Sequence, residues 1–274
     1  MKKIFFILLA LLSVNALFSM GKNKWQQVEA GLSVGEFAAP SKSIVGSSHI
    51  TIIKIDPHFY SFKLMTAKEY GVEPMTAKAW CQKYNLIAAV NAGMFQSDYR
   101  SNVGYMKNFK HVNNGKISAG YSSVFACNPV DAEMNAVRIY DTEDESIKMI
   151  IQNYHTVIQN LRLIKRPGEN RWSQQNRKWS EVALGQDEGG NILFIFSRSP
   201  YSMYDFNEII LKLPIHLVCA QHLEGGPEAS LFLSYKGTEI NQFGSYETGF
   251  NENDNNSKAW PIPNVVGIEK KKND

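Results

Sequence analysis

Past residue 47 the chain reads as short apolar runs cut by turn residues. In "SHITIIKID", Ile50, Ile52 and Ile55 alternate with polar partners, the period of a strand. "YSFKLMTA" predicts a second strand. "EPMTAKAWCQKYN" predicts a helix with Thr76 as N-cap and Asn85 at its end. It leads into "LIAAV", a buried strand that delivers the chain to Asn91. Further strands are "YSSVFACNP", "AVRIYD", "IHLVCAQHL" and "NVVGIEK", and Asn114-Gly115 is a turn signal. Hairpins are expected in "VALGQDEGGNILFIF" and in "ASLFLSYKGTEINQF", the second turning at Lys236-Gly237.

The clearest helix is "SPYSMYDFNEIILKLP". Met203, Phe206, Ile209, Ile210 and Leu213 share one face, Ser202 and Asp205 form a capping box, and Pro214 stops it. "YHTVIQNLRLI" fits no single period, so helix and strand both stay open there. The acidic run "DTEDESIK" is expected to be a helix start or loop, and "NENDNNSKAW" a surface loop. Strands outnumber helices, and no internal repeat appears. The pattern predicts one α+β domain over residues 48–270 with a mixed, largely antiparallel sheet and a few helices. Residues 20–47 are expected to be irregular.

Composition sharpens this picture at the N-terminus. "MKKIFFILLALLSVNALFSM" places two lysines before an apolar run and small residues after it. That is the layout of a secretory signal peptide over residues 1–19, cleaved after Ala16 or Ser19. The run is shorter than the ~20 residues a spanning helix needs. An exported protein, periplasmic or secreted, with no transmembrane segment in the mature chain is therefore expected. The net charge is +3, and removing Lys2 and Lys3 takes it to +1, which gives no electrostatic case for nucleic acid. Cys81, Cys127 and Cys219 lie far apart in apolar segments. Buried, unreactive thiols are the simpler reading, with one disulfide as the alternative.

Candidate chemistry concentrates at two strand ends, "AAVNAGMF" and "HLEGGPEAS", where an apolar run gives way at once to a polar residue and glycine. A side chain placed there is held by a rigid scaffold, and glycine lets backbone approach a ligand. Asn91 can donate and accept, and Glu224 can act as base, nucleophile or metal ligand. His222, two residues before Glu224, points to the same face if the strand persists. Two tryptophans in "GENRWSQQNRKWSE" could face a sugar ring or anchor a loop.

"VNAGMF", "VIQNLRLI" and "LEGGPEASLFL", in that order, resemble the phosphodiester glycosidase family over residues 50–268. Asn91-Ala92-Gly93-Met94-Phe95 stands where the family has Asn-Gly-Gly-Phe-Phe. Leu223-Glu224-Gly225-Gly226-Pro227 stands where it has Leu-Asp-Gly-Gly followed by Gly or Pro. Glu replaces the family's Asp, Glu228 occupies the position of its Ser with Ser230 nearby, and "WSEVALG" lacks its Arg.

The resemblance implies cleavage between an anomeric carbon and a phosphate oxygen, through an oxocarbenium-like transition state that a carboxylate stabilises. On that reading Glu224 is base or nucleophile, Glu228 the second carboxylate, and Asn91 orients a sugar hydroxyl or phosphate oxygen. Arg162, or more weakly Arg198, supplies positive charge. Gly93, Gly225, Gly226, Gln159, Ser230 and His222 complete the substrate contacts. A calcium or magnesium ion on Glu224 is a candidate cofactor. The partner is a carbohydrate or glycosyl phosphate. A non-catalytic carbohydrate-binding envelope protein on the same scaffold is the alternative, and an envelope assembly protein is a third reading.

Overall fold

A computed structural model describes residues 24–272, so the predicted signal peptide lies outside the described residues. Three sheets carry the fold. The largest has eight strands. In spatial order these are Lys24–Glu29, Leu32–Ala38, His49–Ile55, Ile192–Tyr201, Trp179–Asp187, Leu217–Gly225, Arg162–Lys165 and Glu169–Asn170. One five-stranded sheet orders Thr238–Phe243, Ser230–Tyr235, Ala88–Asn91, Asn264–Lys270 and Tyr60–Thr66. The other orders His111–Asn114, Met106–Asn108, Tyr154–Asn160, Ser123–Pro129 and Val137–Asp141. The pairings within these sheets are antiparallel. With four α-helices among the described residues against this much strand, the expected α+β class holds.

One hydrophobic core takes side chains from all three sheets, including Ile53, Phe194, Phe62, Leu231 and Phe125. Ile50 and Ile52 face the other way, toward Phe206, Ile209 and Ile210 of the helix Met203–Lys212. The eight-stranded sheet is thus covered on both faces, which explains why runs such as "ILFIF" are continuously apolar.

Local signals act as their chemistry predicts. Thr76 Oγ1 accepts the Ala79 N–H at 3.2 Å, and Asn85 closes Ala77–Tyr84 in the left-handed region at φ 54°. Ser202 Oγ accepts the Asp205 N–H at 3.1 Å and donates to the Asp205 carboxylate at 2.8 Å. "YHTVIQNLRLI" has no single period because it is two strands, Tyr154–Asn160 and Arg162–Lys165, in different sheets, with Leu161 at the crossing. Asn114 ends a strand rather than turning a hairpin; the turn lies earlier, at Phe109-Lys110. Cys81, Cys127 and Cys219 are buried and unbridged.

Residues 20–47 are not irregular throughout. Lys24–Glu29 and Leu32–Ala38 pair as a hairpin, and the second strand pairs with His49–Ile55. Leu32, Val34 and Phe37 are buried in the core, and Trp25, Val28 and Ala39 pack against its edge. A sheet-edge hairpin with one wet face carries too few apolar residues to announce itself, and its ladder hydrogen bonds come from the neighbouring strand.

Candidate active site

The strand Leu217–Gly225 runs inside the eight-stranded sheet, between Trp179–Asp187 and the shorter Arg162–Lys165. His222 and Glu224 both line a cleft of about 390 Å³, with a register shift against Trp179–Asp187 falling between them. The chain then turns through Gly226-Pro227-Glu228 into Ser230–Tyr235, which belongs to another sheet. Gly226 sits at φ 66°, and a Cβ there would fall 2.7 Å from the Glu247 carboxylate. The left-handed φ is what requires glycine, since the flexible Glu247 side chain can swing aside. Glu228 leaves this turn into the same cleft, and Glu247 closes it from the loop after Thr238–Phe243.

The acids are electrostatically crowded. Burial pushes Glu224 up to about 8, against the pull of His222 and of the Gly225 N–H that it accepts at 3.0 Å; Glu228 and Glu181 push it further. Burial also raises Glu228, with Glu247 adding repulsion. Beneath them, His222 Nδ1 lies 2.6 Å from Glu181 Oε1, and both side chains are only 3% exposed. Glu181 Oε2 accepts the Trp179 indole N–H at 2.6 Å. Burial opposes a charge on His222, but the Glu181 carboxylate overrides it and raises the imidazole. With Nδ1 fixed by a carboxylate, Nε2 is the ring nitrogen left for the cleft.

The indole of Trp179 forms one wall. A Cβ on Gly225 would fall 2.5 Å from that ring, so glycine here lets the indole lie flat against the strand. Met94, Phe95 and Leu161 add apolar surface. The one arginine or lysine lining the cleft among the described residues is Arg177, whose side chain is 71% exposed and lies 4.0 Å from Glu247.

The remaining sequence-predicted residues are placed elsewhere. Asn91 is 1% exposed and does not line the cleft. Its Oδ1 accepts the Ser230 N–H at 2.8 Å and its Nδ2 donates to the Glu228 carbonyl at 3.1 Å, so the amide fastens the turn instead of holding a ligand. Ser230 is buried and donates its hydroxyl to the same carbonyl at 3.1 Å. Gly93 does not line the cleft, and a Cβ there would fall 2.6 Å from Asn102 and 2.9 Å from Asn160. The Gln159 amide is consumed by the Ser118 and Tyr121 carbonyls and by the Tyr105 and Ser118 N–H groups.

Neither predicted arginine serves the cleft. Arg162 binds Asp141 at 2.7 Å and Glu143 at 2.8 Å. Arg198 binds Asp254 at 2.6 Å and donates to the Phe243 and Asn256 carbonyls, pinning the loop that carries Glu247. Of the two tryptophans, Trp172 anchors its loop by donating to the Arg162 carbonyl at 2.6 Å. Among the described residues no group of three acid, histidine or cysteine side chains is placed to hold a metal ion. The residues the sequence reading missed are Glu181, Arg177, Glu247, Met94 and Phe95. For Glu181 a signal existed: Trp179 and Glu181 stand two apart in a strand, as do His222 and Glu224.

The profile of the phosphodiester glycosidase family matches residues 84–269. The chain belongs to the phosphodiester glycosidase family. No curated protein sequence matches it. The fold of this phosphodiester glycosidase domain is similar to that of the catalytic domain of zebrafish N-acetylglucosamine-1-phosphodiester alpha-N-acetylglucosaminidase. That match has a TM-score of 0.61 and 12% identity and covers 90% of this chain and 86% of that one. It is also similar to a hypothetical protein from Synechocystis, with a TM-score of 0.59 and 13% identity, covering 87% of this chain and 62% of that one. A protein of Burkholderia pseudomallei matches at a TM-score of 0.52 and 10% identity, over 80% and 73% of the two chains. Within the family match, the motif Asn91–Phe95 supplies a fastening amide, a tightly packed glycine and two cleft-lining side chains.

Proposed function

We propose that this chain is an exported hydrolase that cleaves at the anomeric carbon of a sugar, with Glu224 as its acid–base residue. The observation that carries this reading is Glu224 held at about 8 beside Glu228 in a cleft walled by Trp179. A carboxyl that keeps its proton at neutral pH starts as an acid, where the sequence alone suggested a base or nucleophile. It protonates the leaving oxygen and then, as a carboxylate, activates water. Glu228 stabilises the oxocarbenium-like transition state. The Trp179 indole offers its face to the CH groups of the ring. Asn91, through the Glu228 carbonyl, and Glu181, through His222, are positioning residues.

The bond is a sugar-1-phosphodiester or a related envelope glycan linkage. Two features favour the glycan. A phosphate leaving group needs little protonation, so a protonated Glu224 serves an alkoxide better. With Glu224 protonated, Glu228 and Glu247 still outnumber the single, mostly exposed arginine, Arg177, which disfavours a phosphodiester anion. The alternative, a non-catalytic carbohydrate-binding protein, draws support from the same shortage of cleft cations.

The test compares wild type and Glu224→Gln on aryl glycosides and on a sugar-1-phosphodiester. A hydrolase loses about 10²–10⁴-fold in kcat in the variant while ligand binding persists. Saturable sugar binding with no turnover in wild type establishes the binding protein instead.

A further inference from the structure

A second cavity, of about 350 Å³, opens away from the cleft at the seam between the eight-stranded sheet and the strand Val137–Asp141. Three guanidinium groups line it: Arg138 on that strand, Arg162 opening Arg162–Lys165, and Arg166 just beyond. Buried Ile139, Ile164 and Cys219 also line it. We propose that this cavity is an oxyanion-binding site for a phosphate group, free or carried on a sugar.

The argument rests on which charges are already matched. Arg162 is held by Asp141 and Glu143. Asp144 and Asp141, which also line the cavity, take Lys165 at 2.7 and 3.8 Å. Arg138 and Arg166 have no carboxylate within ion-pair distance among the described residues. Against these two unmatched cations stands one unmatched acid, Glu145, which is exposed to solvent. Water screens Glu145, whereas the guanidinium groups are half-buried.

The two arginines are also preorganised. Arg166 Nη2 donates to Gln186 Oε1 at 2.8 Å and lies 3.3 Å from Cys219 Sγ. The same Gln186 oxygen accepts the Ile139 N–H at 3.4 Å, tying Arg166 to the strand of Arg138. Arg138 lies over the Tyr140 ring at 5.2 Å, and its Nε is buried with no hydrogen-bond partner. A buried orphan donor is costly, and an anion held by the outer nitrogens of the fork lowers that cost electrostatically. Planar forks suit phosphate, which accepts two parallel hydrogen bonds from each.

The experiment is calorimetric titration of the full chain with inorganic phosphate and with glucose 1-phosphate, at fixed ionic strength against a chloride control. Saturable binding is expected. Arg138→Gln and Arg166→Gln each weaken it by about tenfold or more, with far-UV circular dichroism unchanged. Arg138→Lys, which keeps the charge and loses the fork, weakens it less. Glu224→Gln leaves it intact, because the cleft is a separate site. Tighter binding of the ester assigns the cavity to a sugar phosphate, and equal binding assigns it to free phosphate. The proposal is overturned if phosphate does not saturate, if both arginine variants bind like wild type, or if Glu224→Gln alters binding as much as they do.

Discussion

Two residues decide the chemistry of the cleft, and each makes a measurable claim. Glu224 has a folded pKa of about 8 against an ordinary 4.5. Between those values the folded chain holds a proton that the unfolded chain has released, so stability falls as pH rises through the window and levels off above it. Glu224→Gln removes that titration. Its Tm relative to wild type should therefore climb from about pH 4.5 to about pH 8, as followed by thermal melts across pH. Glu228, also raised by burial, leaves a residual slope in the variant. A constant Tm difference across the range would mean that Glu224 is not held protonated. Glu181 makes the second claim. Glu181→Gln removes the carboxylate that overrides burial at His222, so the imidazole pKa should fall, read by NMR of the ring carbon. Breaking this buried pair should also cost roughly 3 kcal/mol or more in denaturant unfolding.

At the scale of the element, the turn Gly226–Glu228 matters more than any single contact. It joins a strand of one sheet to a strand of another and carries Glu228 into the cleft. Asn91 fastens it from the neighbouring strand through two hydrogen bonds. Asn91→Ala strands the buried Ser230 N–H, at about 1–3 kcal/mol, and removes one of two donors to the Glu228 carbonyl, which keeps the Ser230 hydroxyl. Chemical denaturation should show that loss, and kcat should fall with Glu228 misplaced while KM changes less. A KM effect alone would restore Asn91 to direct ligand contact. Much at this scale was readable in advance. Thr76, Asn85, Ser202 and Pro214 bound their helices as short-range chemistry requires. The hairpin at Lys236-Gly237 formed where those residues stand, with φ of 48° and 81°. The strands Lys24–Glu29 and Leu32–Ala38 escaped notice, because an edge hairpin is held by a neighbour that local pattern does not reveal.

For the whole molecule, burial sets the thiol chemistry as well as the fold: Cys127 and Cys219 lie in the core shared by three sheets, and Cys81 lies in a separate cluster with Trp80. Burial pushes Cys81 and Cys127 up to about 12 and Cys219 to about 11. Native protein should therefore resist thiol-reactive probes at neutral pH and yield three reactive thiols only in denaturant, and a reducing agent should leave Tm unchanged. Rapid native labelling would place a cysteine at the surface.

The sequence by itself determined the strand-rich α+β class, the family, the helix caps and the closeness of His222 to Glu224. Each of these depends on neighbours along the chain or on a motif contiguous in it. Only the tertiary structure decided that Asn91 serves the turn and not a ligand, that Arg162 and Arg198 are spent on remote carboxylates, and that Glu181, Arg177 and Glu247 complete the cleft. Those outcomes depend on which distant segments meet, and a polar side chain looks the same in sequence whether its partner is a carbonyl, an acid or a sugar.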